Sequence, residues 1–262
     1  MKDFIKKIIG EKNIHKIKNK IREREELNRQ KSEIIKRADF YSQFVSKNDL
    51  CFDVGANIGN RVEPLLKLGA KVVAIEPQES CYLILEKKFG HKITIVTEGV
   101  GAEESEKDFH ISNANTISSF SEDWIKSVKD GRFKEYNWNK TVKTKITTLD
   151  NIIKKFGTPV FIKIDVEGYE LEVLKGLSSI IKYISFEYTV PEQTTKALNC
   201  IKRLESLNKS VEFNYSVGES MKLENSIWYN VEDMCNLVQS KDFLNTEFGD
   251  IYVRNQLAKS IE

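Results

Sequence analysis

The sequence predicts a doubly wound α/β fold made of one domain, with a helical arm at its N-terminus. From residue 47 onward, short β-branched runs such as Leu50–Val54 and Lys71–Ile75 alternate with helical stretches such as Glu79–Phe89. This alternation is typical of parallel strands joined by crossover helices. With 262 residues, of which 40% are apolar, the chain is long enough for one large core rather than two full domains.

The elements of the predicted sheet follow one another in a regular order. Strands are predicted at residues 50–54, 71–75, 93–96, 160–164 and 183–186. Helices are predicted at residues 60–68, 79–89, 170–177 and 192–207. Two later runs, 211–215 and 250–254, are interpreted as an antiparallel pair at the edge of the sheet. The sequence therefore predicts a seven-stranded, mostly parallel sheet.

The N-terminal segment differs in charge from the rest of the chain. Residues 1–37 carry 13 basic and 6 acidic side chains, whereas residues 38–262 carry 28 and 33, so the net charge of +2 hides two regions of opposite sign. Isoleucines such as Ile14, Ile17 and Ile21 share one helical face of this arm. We interpret the arm as a helix that packs on its own domain or on a second copy, or that lies on an anionic membrane surface. Nucleic-acid binding by the arm is a third, less favoured interpretation, and the nearly neutral total charge argues only against a protein that coats a polyanion.

Two further observations point to a cytoplasmic protein, at most peripheral to the inner face of a membrane. No run approaches the roughly 20 apolar residues of a membrane span, and the first residues, Met1-Lys2-Asp3-Phe4, do not begin a secretory signal. The four cysteines form no CxxC pair and are expected to be reduced thiols. The histidines and cysteines have no zinc-ligand spacing, so no metal site is expected from them.

The first predicted strand leads into a glycine-containing turn. Asp53 ends this strand, and Gly55 and Gly59 let the backbone turn tightly and approach a ligand closely before a helix begins. Glu76 ends the second strand, 21 residues after Gly55, where a carboxylate can accept both hydroxyls of a ribose. The first half of the domain is therefore predicted to bind a nucleoside-like cofactor.

The same turn discriminates between cofactors. A dinucleotide-binding turn has a second glycine where this chain has Asn57, and that substitution would hinder close approach of a pyrophosphate. Asp53 adds negative charge, which suits a cationic ligand. S-adenosylmethionine carries a sulfonium, an amino group, a carboxylate and a ribose, and we expect it to be the cofactor.

Carboxylates also end the fourth and fifth strands. Asp165 and Glu167 follow the fourth, and Glu187 lies at the end of the fifth, so all three are expected at the same edge of the sheet. We expect Asp165 to be the general base that activates an acceptor hydroxyl, with Glu167 and Glu187 as alternatives. A pair of carboxylates could also hold Mg²⁺, but the sequence shows no octahedral ligand set, and a metal requirement is not expected.

A long insertion, about residues 109–149, separates the third and fourth strands. An insertion of this length inside a compact domain is typical of a substrate lid. Trp124, Tyr136 and Trp138 could stack on sugar rings of the acceptor, or could form the apolar face of an ordinary helix or edge strand.

Four motifs between about residues 41 and 192 carry a resemblance to a known family. They are Asp53-Val54-Gly55-Ala56-Asn57-Ile58-Gly59, Ala74-Ile75-Glu76-Pro77, Thr147-Thr148-Leu149-Asp150 and Lys163-Ile164-Asp165-Val166-Glu167-Gly168. In this combination the sequence resembles the FkbM family of S-adenosylmethionine-dependent methyltransferases. Residues 1–37 and those after Glu192 lie outside the resemblance.

The resemblance implies a class I methyltransferase sheet with an antiparallel last strand, in a domain spanning 38–262. It implies that Asp53, Gly55 and Gly59 hold the methionine end of the cofactor and Glu76 its ribose, with Asn57 and Pro77 in the same two turns. Gly99 and Val100 would lie near the adenine, and Asp165 and Glu167 near the reacting centre.

The activity that the resemblance implies is O-methylation, commonly of a sugar or polyketide hydroxyl. We expect a sugar or glycan acceptor. The alternative is a methyltransferase that acts on RNA, on protein, or on a lipid-linked or natural-product small molecule, and the basic arm is its main support. The sequence after the fourth strand is not of the Asn-Pro-Pro-Tyr type, which argues against methylation of an exocyclic nucleobase amine.

Overall fold

A computed structural model gives the fold, and it describes residues 11–256. The helices are α1 (Glu11–Tyr41), α2 (Val62–Lys67), α3 (Glu79–Phe89), α4 (Glu122–Val128), α5 (Leu149–Phe156), α6 (Glu170–Lys175), α7 (Thr194–Leu207), α8 (Val231–Val238) and α9 (Lys241–Leu244). The strands are β1 (Leu50–Val54), β2 (Lys71–Ile75), β3 (Ile93–Val96), β4 (Gly99–Val100), β5 (Ser105–Ile111), β6 (Lys140–Thr147), β7 (Phe161–Ile164), β8 (Tyr183–Thr189), β9 (Val211–Val217) and β10 (Phe248–Asn255).

Seven strands form the main sheet, in the order β3-β2-β1-β7-β8-β10-β9. The pairs from β3 to β8 are parallel, and β10 is antiparallel to both of its neighbours. The predicted doubly wound sheet with an antiparallel last strand is confirmed. Strand order reverses between β1 and β7, which is where open α/β sheets bind their ligands.

The apolar side chains of the sheet form two buried layers, one on each face. Along β1, Phe52 and Val54 contribute to the layer under α5, α6, α7 and α8, whereas Cys51 contributes to the layer under α1, α2 and α3. Alternate residues of a strand point to opposite faces, so a strand covered on both sides is apolar at most of its positions. This accounts for the largely apolar runs of β1, β2 and β7, in which Asp53 of β1 and Lys163 of β7 are charged residues.

Local side chains begin and end several of the helices. The Thr148 hydroxyl accepts a hydrogen bond from the backbone N–H of Asn151 at the start of α5, and the Asn230 side chain accepts one from Asp233 at the start of α8. Gly90 and Gly157, both with positive φ, end α3 and α5. The chain can therefore reverse direction sharply after each helix.

The predicted insertion, residues 109–149, contributes to a second, three-stranded sheet in the order β4-β6-β5, but this sheet begins earlier, because β4 and most of β5 precede residue 109. Strands β5 and β6 are antiparallel over their full lengths, and α4 lies in the connection between them. This connection returns to the main sheet, because the Ser119 hydroxyl donates a hydrogen bond to the backbone oxygen of Glu167 at 2.7 Å. The insertion thus lies against the carboxyl end of β7.

Helix α1 is continuous across the predicted boundary between arm and domain at residue 37. Its earlier part is exposed at Ile17, Ile21 and Leu27, whereas Tyr41 in its last turn is fully buried. No helix of the described segment, 11–256, is long and apolar enough to cross a membrane. The membrane or self-association role of the arm stays a prediction, and residues 1–10 lie outside the described residues.

Candidate active site

A cavity opens at the carboxyl ends of the central strands. Its walls come from the turns after β1 and β2, from β4, from the ends of β7 and β8, and from the insertion. Among the predicted site residues, the following line it: Gly55, Asn57, Glu76, Pro77, Gly99, Val100, Asp165, Glu167 and Glu187. The structure therefore brings together most of the residues that the sequence singled out. Asp53, Gly59, Trp124, Tyr136 and Trp138 do not line it.

Gly55 allows the turn after β1 to lie directly against the end of β7. A Cβ atom at Gly55 would lie 1.8 Å from the backbone oxygen of Asp165, and its φ of +84° is in the left-handed region. Gly59 serves packing instead, because a Cβ there would lie 2.3 Å from the ring of Phe89 in α3. Asn57 also has positive φ. The turn therefore requires residues that tolerate a positive φ, and at Gly55 and Gly59 it also requires the absence of a side chain.

Glu76 is a buried carboxylate held by two backbone donors. Its Oε1 accepts from the N–H of Gln78 and its Oε2 from the N–H of Asn57, both at 2.8 Å. Burial raises the pKa of Glu76 to about 7, although these two hydrogen bonds act in the opposite direction. Each oxygen retains acceptor capacity, so the carboxylate is oriented to receive two neighbouring hydroxyls such as those of a ribose.

Asp53 lies behind the cavity rather than in its wall. Its side chain is buried, and its Oδ2 has no hydrogen-bond partner among the residues described. Burial raises the pKa of Asp53 to about 7, while the charges of Lys163 and Arg61 partly oppose this rise. The structure does not place Asp53 in contact with the cavity, so direct contact with the methionine end stays a prediction.

Three carboxylates converge at the ends of β7 and β8. Asp165, Glu167 and Glu187 each place an oxygen within 4.8 Å of the others, and we call this group the acidic triad. Glu167 has a φ of +55°, which is unusual for a residue other than glycine or asparagine and is typical of functional sites. Burial, followed by the charge of Asp165, raises the pKa values of Glu167 and Glu187 well above their ordinary range.

The acidic triad suits two kinds of chemistry. Carboxylates this close cannot all ionise easily, so the group can hold and accept protons. The same oxygens also have the spacing and the chemical type to hold a divalent cation such as Mg²⁺. Negative charge here also favours a sulfonium beside the triad.

Lys163 is a buried cation for which the sequence predicted no role, although it belongs to one of the family motifs. Its Nζ donates to Asp165 Oδ2 at 3.1 Å and to Asp250 Oδ1 at 2.8 Å. Burial alone would lower the pKa of Lys163, but Asp165 and Asp250 outweigh it, and the pKa is raised. Lys163, which lies inside the sheet in β7, therefore holds the carboxylate of Asp165 in place. A single lysine inside the otherwise apolar run of β7 is the feature that could have revealed it.

Glu170 shapes the loop that carries Asp165 and Glu167. Its Oε1 accepts hydrogen bonds from the backbone N–H groups of Val166 and Gly168, both at 3.1 Å. Burial raises the pKa of Glu170 to about 7. The same loop requires glycine at position 168, because a Cβ atom on Gly168 would lie 2.4 Å from the ring of Trp124. The loop geometry is thus set by a carboxylate outside the cavity.

The aromatic residues of the insertion form a small core of their own. Trp124 is 1% exposed and packs with Val128 and Ile117, and the indole of Trp138 donates to the backbone oxygen of Ile117 at 2.7 Å. Tyr136 is exposed and packs edge-on against Phe133. The prediction that Trp124 and Trp138 stack on sugar rings is corrected here: both are occupied in packing and neither lines the cavity.

Further residues, from the insertion and from three other segments of the chain, complete the cavity wall. The insertion contributes Asn115, Thr116, Ser118 and Phe120, and α1, the start of α2 and the loop after β9 contribute Arg37, Arg61 and Glu219. Sequence reasoning missed all of these, because nothing in their local sequence marks them. Asn115 contacts the turn after β1 that contains Gly55 and Asn57, which we call the cofactor turn, because its backbone oxygen accepts a hydrogen bond from the Asn57 side chain at 3.0 Å.

Several solved structures are similar to this chain at low sequence identity. A putative methyltransferase from Streptococcus mutans in complex with S-adenosylhomocysteine has 13% identity and a TM-score of 0.43, with 84% of this chain and 95% of that chain covered. A precorrin-6y C5,15-methyltransferase from Geobacter metallireducens has the same identity and TM-score, with 84% and 88% covered. An rRNA methylase from Streptococcus thermophilus has 10% identity and a TM-score of 0.43, with 84% and 94% covered. Similarities of this size do not bear on the substrate.

The family comparison is more informative. A comparison with curated protein sequences gave no match. The model of the methyltransferase FkbM domain matches residues 53–243, a range that begins at the cofactor turn and contains the whole acidic triad. Because this match spans well over half of the chain, the protein belongs to the FkbM methyltransferase family and uses S-adenosylmethionine as its methyl donor.

Proposed function

We propose that this methyltransferase transfers the methyl group to a hydroxyl of a sugar or glycan. The observation that carries the proposal is the acidic triad at the end of the cavity next to the cofactor turn. A sugar hydroxyl is a weak nucleophile until its proton is removed, so the reaction requires a nearby base. The triad places three carboxylates together at the cavity wall, and burial raises the pKa values of two of them, Glu167 and Glu187, which makes these two more basic.

Different residues of the cavity would bind the cofactor and the acceptor. Glu76 would hold the ribose of the cofactor through its two oriented oxygens, and Gly99 and Val100 would lie beside the adenine. The bound cofactor supplies an electrophilic methyl group on a cationic sulfur. The triad would stabilise that cation and leave space for the acceptor on the side of Glu187. Holding the acceptor oxygen about 3 Å from the methyl carbon supplies much of the rate enhancement.

The three carboxylates would have different roles in proton transfer. Asp165 was expected to be the base, but its Oδ2 already accepts a charge-assisted hydrogen bond from Lys163. Glu167 and Glu187 accept no side-chain hydrogen bond from residues 11–256 and have raised pKa values. We therefore assign proton acceptance to the Glu167–Glu187 pair. This pair would accept the proton of the acceptor hydroxyl during transfer of the methyl group.

The test is a methyl-transfer screen with radiolabelled S-adenosylmethionine. The acceptors are nucleotide sugars, neutral glycan oligomers and RNA. Methylation of a sugar hydroxyl is the expected result, and methylation of RNA alone would contradict the proposal. In the active reaction, Glu187→Gln and Glu167→Gln should each lower turnover by about 10²–10⁴-fold, while the exposed Glu103→Gln serves as the control.

Two readouts separate catalysis from binding and from metal chemistry. Affinity for S-adenosylhomocysteine should change by less than about threefold in Glu187→Gln, because this residue contacts the acceptor rather than the cofactor. Chelation by EDTA should leave turnover unchanged if the triad accepts protons directly. Loss of turnover on chelation, with recovery on adding Mg²⁺, would instead assign the triad to a metal ion.

A further inference from the structure

The cavity wall contains two arginines in addition to the acidic triad. Arg37 from α1 and Arg61 from the start of α2 both line the cavity, together with Glu219 from the loop after β9. The side chains of Arg37 and Arg61 are only 17% and 11% exposed. Buried guanidinium groups in a ligand cavity call for an explanation, because charges are costly to bury without partners.

Arg37 reaches the cavity because the last turn of α1 is anchored to the sheet. Tyr41 and Phe44 lie within 6 Å of the Phe161 ring on β7, and Phe44 also stacks on Tyr252 of β10 with ring centroids 5.3 Å apart. Arg37 lies one helical turn before Tyr41, on the same side of the helix. Its backbone is therefore held rigidly, as expected for a residue that positions a ligand.

Arg37 is poorly satisfied within the protein. Its guanidinium makes no hydrogen bond to any residue in the range 11–256, and its nearest acidic partner is Glu219, with Nη2 and Oε2 3.6 Å apart. Its Nε is buried without a partner among these residues. A guanidinium has five N–H donors, so most of the donors of Arg37 remain available to a bound group.

Arg61 and Glu219 complete the arrangement. Arg61 Nη2 donates to Glu219 Oε1, and Arg61 Nη1 is also buried without a partner in the described part of the chain. Glu219 is 52% exposed and follows Gly218, which has a positive φ. One half-exposed carboxylate thus faces two buried guanidinium groups, and the three side chains together keep a net positive charge.

We propose that Arg37 and Arg61 bind an anionic group of the acceptor, a phosphate or a carboxylate, and that Glu219 is the counter-ion that this group displaces. The planar donor fork of arginine matches both kinds of oxyanion. The proposal rests on the proposed sugar methylation and narrows it to phosphorylated or acidic sugars. The arginines would hold the anionic group of the acceptor, and the triad would receive its hydroxyl.

The test compares Arg37→Gln with Arg24→Gln, a matched change on the exposed part of the same helix. Glucose 1-phosphate, glucuronate and glucose are titrated into the protein saturated with S-adenosylhomocysteine, and binding is followed by ligand-observed NMR. Both charged sugars should bind more tightly than glucose to the wild type and to Arg24→Gln. Arg37→Gln should weaken them by about tenfold or more, with no effect on glucose.

The carboxylate of the cofactor is the other anion that the arginines could hold. Arg61→Gln is therefore titrated with S-adenosylhomocysteine and with 5′-methylthioadenosine, which lacks the amino-acid portion. We expect both affinities to stay within about threefold of the wild type. A loss of affinity for S-adenosylhomocysteine alone would assign the arginines to the cofactor and overturn their assignment to the acceptor.

The results also separate this proposal from the proposed function. If charged sugars bind in a way that depends on Arg37 but no sugar is methylated, the anion site stands and the sugar assignment fails. If sugars are methylated and Arg37→Gln converts charged and neutral sugars as well as the wild type does, the function stands and the anion site fails.

Discussion

Substitution of Gly55 by alanine tests the contact between the cofactor turn and the end of β7. The added Cβ would lie 1.8 Å from the backbone oxygen of Asp165, so one of the two segments must move. The φ of +84° adds strain of its own, because side chains other than that of glycine rarely adopt it. Both effects act where the turn and the acidic triad meet.

The expected loss of stability can be estimated from two contributions. The backbone conformation costs about 1–3 kcal/mol for a residue other than glycine. Overpacking against a rigid backbone atom costs about 1–3 kcal/mol more. Gly55→Ala should therefore lower the free energy of unfolding by about 2–6 kcal/mol, a large part of the ~5–15 kcal/mol of a typical domain.

Two control variants separate these contributions. Gly157 also has a positive φ, of +99°, but its Cβ would meet only a methyl group of Leu50 at 3.7 Å, so Gly157→Ala should show the conformational cost alone. Gly131 has open space around it and a φ outside the left-handed region, so Gly131→Ala should change the free energy of unfolding by less than about 1 kcal/mol.

Urea unfolding and calorimetric titration with S-adenosylhomocysteine provide the two readouts. Gly55→Ala should lose both stability and cofactor affinity, whereas Gly157→Ala should lose stability only, because Gly157 ends α5 and does not line the cavity. If Gly55→Ala were as stable as Gly131→Ala and bound the cofactor product normally, the close approach of the turn to β7 would be refuted.

Three further predictions concern buried charges. Since Glu76 has a pKa of about 7, affinity for S-adenosylhomocysteine should fall by up to about tenfold per pH unit as the pH drops from 7 to 5, and a flat calorimetric profile would refute this. Lys163→Met leaves Asp165 and Asp250 without their cation and should lower the free energy of unfolding in urea by about 3–5 kcal/mol. Adding Asp250→Asn to this variant should restore part of the loss. Equal stability of Lys163→Met and the wild type would show that the two ion pairs of Lys163 do not stabilise the fold. Asp53 has a pKa of about 7 in the folded state against 3.8 normally, so its contribution to stability is present below pH 3.8 and is lost as the pH rises to about 7. Asp53→Asn should therefore gain stability relative to the wild type between about pH 4 and pH 7, by at most about 4 kcal/mol, and a pH-independent difference would contradict the raised pKa.

The main sheet could be predicted closely from the sequence. The bounds of β1, β2, α3 and β3 agree with the predicted ones, because each is an apolar or amphipathic run that ends at turn residues. The second sheet was not predicted. Strands β5 and β6 are exposed along most of their length, so they lack the alternation of apolar and polar residues that marks a half-buried strand.

The part of the cavity at the strand ends could be predicted, but the part lined by Arg61 and Glu219 could not. Residues such as Gly55 and Glu76 lie at strand ends, where topology alone brings them together. Arg61 and Glu219 meet although 158 positions separate them in the chain, and Lys163 meets Asp250 across 87 positions. A single sequence carries no information about such pairs. The sequence left the role of Trp124 open, because an aromatic residue in an insertion suits either stacking on a sugar or a small core, and the structure shows the small core.

Binding of S-adenosylhomocysteine to Glu76→Ala tests the central claim most directly, namely that the cavity beside the turn after β1 is the cofactor site. Glu79→Ala, three positions away on the exposed start of α3, is the matched control. By isothermal titration calorimetry, Glu76→Ala should lose about a hundredfold or more in affinity, since two charge-assisted hydrogen bonds to the ribose disappear, while Glu79→Ala binds like the wild type. Unchanged affinity in Glu76→Ala would show that the cofactor binds elsewhere.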